Sequence, residues 1–206
     1  MSVIEKYPSS ETGVVIVDPL NDFLSEGGKA WEMTKEVVLG VGVIPNLKRL
    51  IEGARQQGIQ VFYAPMCTYP HDYRHWMFLT SNLRFALEKQ IFQVGSWGAE
   101  FHPKLKPQER DIVVAPHKVS SAFVSTDLDL QLRQHGVKRV VLAGMIANTC
   151  VESTGRYALE LGYHVTFLKD AVGALSWEAQ RAAVEINYPT YGHAVLTVDE
   201  FLANVI

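Results

Sequence analysis

The stretch RVVLAGMIANTCVESTGRYALELGYHVTFL, residues 139–168, decides the fold. It opens on an unbroken apolar run, Arg139 to Gly144, and closes on another, His164 to Leu168. Both runs are β-branched and do not alternate, as expected for strands buried on both faces of a parallel sheet. Between them a helical pattern runs from Cys150 to Gly162, and glycine is the usual residue just past a helix end. Strand, helix, glycine, strand is a βαβ unit.

Working outward, the unit recurs. Apolar runs stand at Val14–Val17, Ile59–Ala64, Asp111–Ala115 and His193–Leu196. Amphipathic segments separate them: IPNLKRLIEGARQQG ending at Gly58, TDLDLQLRQHG ending at Gly136, and WEAQRAAVEI. Five or six such alternations predict one doubly wound α/β domain over residues 1–206, with a mainly parallel sheet and helices on both faces. One connection, Met66 to Arg110, is too long for a simple turn. It carries several aromatic residues and one helical pattern, SNLRFALEKQ, and is too apolar for disorder. It is expected to pass over the active-site edge or to meet another subunit.

The 206 residues are 48% hydrophobic and 20% charged, with a formal charge of -3. That composition fits a compact domain with a large core. It shows no basic stripe that would suit nucleic acid and no apolar run near the ~20 residues of a membrane span. The first residues lack an apolar signal-peptide core, and the only cysteines are Cys67 and Cys150. Free thiols in a reducing compartment, the cytoplasm, are therefore expected.

In an open α/β sheet, ligands bind beyond the carboxyl ends of the strands. Asp18 follows the first run in VVIVDPLNDF, His117 and Lys118 follow the third, and Cys150 follows the fourth. A thiol at a helix N-terminus gains thiolate character, and a nearby ammonium lowers its pKa further. A carboxylate can take the thiol proton and return it to a leaving amine, while loop N–H groups hold an oxyanion. Against this stands the ordinary role of a lone cysteine as a core residue.

The segments VVIVDPLNDF, HKVSSAFVSTDLDLQLRQHGVKRVVLAG, GMIANTCVEST and GYHVTFLKDAVGA resemble, in order, the isochorismatase-like cysteine hydrolases. The resemblance implies a Rossmann-like six-stranded sheet and a triad of Asp18, Lys118 and Cys150. It also implies a cis peptide between Met145 and Ile146, and an oxyanion hole from the N–H groups of Ile146 and Cys150. Members are commonly homodimers or homotetramers. The cysteine implies the amide-hydrolysing branch acting on small amide, ureido or carbamoyl compounds through a thioester, with no cofactor. The alternatives are a vinyl-ether hydrolase using Asp18 without the thiol, and a non-catalytic binding or assembly module.

The metal-dependent nicotinamidases of this family carry an Asp-x-His pair after the second strand, where this chain reads APMCTYPHDYRHW. No metal is expected, although His71 and His75 have i, i+4 spacing. Leu20 stands where many members have a pocket glutamine. Leu20, Phe23, Tyr69, Trp76 and Trp97 are the expected substrate contacts, and Cys67 is expected to be a packing thiol.

Overall fold

The computed structural model describes residues 5–206. Six strands form one sheet: β1 (Thr12–Val17), β2 (Gln60–Ala64), β3 (Ile112–Val113), β4 (Arg139–Met145), β5 (His164–Gly173) and β6 (Ala194–Leu196). All pairings are parallel, and the order is β3-β2-β1-β4-β5-β6. Val14, Val15, Ile16 and Val17 are all fully buried, so both faces of β1 are covered. This is why the central strands are apolar without alternation.

The helices follow the same logic. Val43–Gln56 buries Val43, Leu47, Leu50, Ile51 and Ala54, one stripe at helical spacing, against β5 and β2. Gly58, Gly136 and Gly162 take positive φ after their helices, as anticipated. Three features were not anticipated. Trp31–Val41 is helical, burying Thr34, Val37 and Val38 at helical spacing with Trp31 and Val41 partly buried on the same core. Edge strand β3 is short and pairs with β2 over two residues only, Ile112 and Val113. The helices after β4 and β5 contain wide π turns at Ala147–Val151 and Ala182–Asn187.

From β1 the chain builds outward through β2 and β3, then returns to the other side of β1 with β4. The topological switch therefore lies between the carboxyl ends of β1 and β4, where α/β sheets bind ligands. Gly144 makes this junction possible. Its φ is 118°, and a Cβ there would sit 2.0 Å from the Val17 carbonyl oxygen.

The long excursion is tied to the turn after β1. Asn21 donates from its backbone N–H to Glu100 (2.9 Å) and from its side chain to the Trp97 carbonyl (2.9 Å). His102 N–H donates to Pro19 O at 2.9 Å. The buried carboxylate of Asp22 accepts from Lys29 N–H at 3.0 Å and Phe92 N–H at 2.8 Å. Hydrogen bonds to a buried charged acceptor contribute about 1.5–3 kcal/mol each, so this segment is a fixed wall.

Candidate active site

Asp18 leaves β1 in the left-handed region, φ 48°, which aspartate tolerates better than most residues. Its side chain is fully buried. Oδ1 accepts from Met66 N–H at 2.6 Å and stands 3.0 Å from Nε2 of His117. A carboxylate only accepts, so Nε2 carries the hydrogen. Oδ2 is buried with no hydrogen-bond partner. His117 is fully buried too. Burial opposes its protonation, but the Asp18 carboxylate outweighs burial and raises its pKa.

Cys150 lies in the wide turn that joins β4 to the Glu152–Glu160 helix and is 7% exposed. The Met145–Ile146 peptide before it is cis. The backbone of Ile146 and the Thr149 hydroxyl, the latter 3.9 Å from the sulfur, work to lower the thiol pKa. Thr154 donates to the Cys150 carbonyl at 2.6 Å and accepts from Ala122 N–H at 3.0 Å. The S-A-F element thus braces the cysteine turn. Burial first, then the neighbouring charge of Asp18, pushes the Cys150 thiol well above the ordinary value. This reverses the expectation of a lowered pKa: full desolvation outweighs one helix terminus, and among the described residues no ammonium acts on the sulfur.

Lys118 is the second correction. Its ammonium donates to Asp72 Oδ2 at 2.6 Å and to the Cys67 carbonyl at 3.1 Å, and lies 4.3 Å from the Tyr69 ring centre. The group beside Asp18 is His117. Consecutive residues of an extended segment point to opposite sides, so only one of the two could enter the rim. The adjacent pair was visible in HKVSSAF, but nothing in the sequence said which way each side chain turned.

A cavity of about 330 Å³ opens onto Cys150. Phe23 lines it and meets Phe92 edge-on at 4.7 Å. Much of the remaining wall comes from the excursion, including Met66, Leu83 and Ile91, and from Met33 of the unforeseen helix. The other expected contacts lie elsewhere. Leu20 is fully buried and bridges to Phe101. Tyr69 lies beneath Lys118, Trp76 packs edge-on to Tyr73 at 4.8 Å, and Trp97 is half exposed. The ring of His71 leans on Tyr69. Among the described residues no three His, Cys, Asp or Glu side chains gather as metal ligands would.

A model of the isochorismatase domain matches residues 12–200. The chain is 32% identical over 207 residues to the ureidoacrylate amidohydrolase RutB of Rhizobium rhizogenes, covering 95% of this chain and 84% of that protein. A cysteine hydrolase from Pseudomonas syringae superposes with a TM-score of 0.83 at 23% identity, over 99% of this chain and 98% of that one, a likeness of fold. An N-carbamoylsarcosine amidase from Thermoplasma acidophilum gives 0.69 at 27% identity, over 92% and 97%. A parallel sheet of this order, with a buried thiol and carboxylate at its switch point, is the architecture of an isochorismatase-type hydrolase. The chain belongs to the isochorismatase family.

Proposed function

We propose that the protein is a cysteine amidohydrolase that cleaves a small amide, ureido or carbamoyl C–N bond through a thioester. One observation carries this reading: a buried thiol faces a carboxylate whose second oxygen, Oδ2, is unspent, at the wall of a cavity. The raised pKa keeps the sulfur protonated at rest, so Asp18 takes the proton as Sγ attacks the carbonyl carbon. The N–H groups of Ile146 and Cys150 hold the oxyanion. Protonated Asp18 gives its proton to the leaving nitrogen, the C–N bond breaks, and ammonia or an amine departs. Water, deprotonated by Asp18, then attacks the thioester. The C–S bond breaks, the acid is released, and the proton returns to sulfur. His117 holds Oδ1 and balances the carboxylate charge, a positioning role; Lys118 stands outside the reacting atoms.

The test is Cys150→Ala assayed for ammonia release on a panel of amides and ureas, beside intact-mass detection of an acyl adduct on the wild type. Turnover lost with the thiol, and an adduct on Cys150, are expected. Unchanged turnover by the variant would end the covalent mechanism and leave acid catalysis by Asp18 alone. We also propose, in keeping with the family resemblance, that the protein assembles as a homodimer or homotetramer and works in the cytoplasm. Trp76, Met77 and Phe78, exposed side by side on the excursion, are an apolar surface such an assembly could cover.

A further inference from the structure

The chemistry of the cavity wall narrows the substrate. Of its lining residues besides Cys150, only Thr80, Asn82, Ser120 and Thr149 have polar side chains, and none of the lining residues is charged. The rest are aliphatic, aromatic or methionine side chains, Phe23, Met33, Phe85, Phe92 and Leu175 among them. Of the cations next to lining residues along the chain, Arg84 is exposed on the helix Ser81–Glu88 and is not among the lining residues, and the other two are committed. Lys118 is neutralised by Asp72, and the Lys29 ammonium donates to the Gln90 carbonyl at 2.6 Å. A substrate carboxylate in this cavity would lose its water and gain no cation, a large cost. The Asp18 charge behind the thiol adds repulsion. Alkyl or aryl carbon would instead be removed from water against like surface.

We infer that the cavity selects a neutral primary amide whose acyl part is apolar, of medium-chain aliphatic or aryl size, and rejects amides that carry a carboxylate. This sets the chain apart from its ureidoacrylate-hydrolysing relative, whose substrate is by its name a carboxylate. The selectivity rests on the amidase reading for its reaction, but its origin is the surroundings of the bound acyl part, chiefly the uncharged wall. Binding and turnover therefore test it separately.

The matched probes are hexanamide and adipamate (the mono-amide of adipic acid), equal in chain length and differing by one terminal carboxylate. Calorimetric titration of Cys150→Ala with each measures binding, and ammonia release by the wild type measures turnover. Hexanamide is expected to bind at least tenfold more tightly and to give the higher kcat/KM. Along acetamide, butyramide and hexanamide, kcat/KM should rise about fourfold per methylene. Leu175→Arg, at a 39% exposed wall position, should shift the adipamate-to-hexanamide ratio at least tenfold toward adipamate; Met33→Arg is the second variant should the first not fold. Equal or preferred binding of adipamate by Cys150→Ala overturns the selectivity, as does failure to bind either probe. Tight hexanamide binding with no turnover by the wild type sustains the selectivity and overturns the amidase reading instead.

Discussion

At the scale of single residues the site turns on which neighbour Asp18 holds. Oδ1 takes Met66 N–H and His117, and Oδ2 remains for the thiol proton. His117→Gln should therefore lower kcat about 100-fold, a value typical of disturbed acid–base chemistry, and shift the pH–rate profile. Lys118→Ala should change kcat only a few-fold, because its ammonium serves Asp72. A thermal-melt series adds a readout that packing alone would not move. The folded-state pKa of His117 is raised, so its contribution to stability is complete below the unfolded value of about 6.5. That contribution is lost as pH rises through the higher folded value. The gap in Tm between wild type and His117→Gln should accordingly be widest in mild acid and should narrow toward alkaline pH. A gap that grows with pH would mean the imidazole is not held by the carboxylate.

At the scale of elements, the junction of β1 with β4 sets the distance between acid and thiol. Gly144 occupies it with φ 118°, and an added Cβ would strike backbone, which cannot turn aside as a side chain can. Gly144→Ala should cost about 3 kcal/mol or more in denaturant unfolding and lower kcat in the protein that still folds. The same glycine was legible as the end of the apolar run Arg139 to Gly144, though its contact with Val17 was not. Helices with a full apolar stripe, such as Val43–Gln56, were legible throughout. Trp31–Val41 was not read as a helix, although Thr34, Val37 and Val38 keep helical spacing, because threonine, valine and glycine give the segment a weak helix propensity. That helix supplies Met33, so part of the cavity wall was hidden with it.

For the whole molecule, stability should be graded from the middle of the sheet outward. β1 and β4 are buried and paired on both sides, whereas β3 and β6 are short and lie at the edges. Amide hydrogen exchange should be slowest in Val14–Val17 and Val140–Ala143 and fastest, among strands, in β3 and β6. Uniform protection would contradict the hierarchy. By itself the sequence determined the alternation of strand and helix, the parallel sheet, and the placing of Asp18 and Cys150 at strand ends, because burial on two faces and helix termination each leave a local pattern. Only the tertiary structure decided that His117 rather than Lys118 meets Asp18, that burial raises the thiol pKa, and that Tyr69, Trp76 and Trp97 lie off an uncharged cavity. Those outcomes depend on which side chains converge from distant segments and on how much water they exclude, and no short run of residues encodes either.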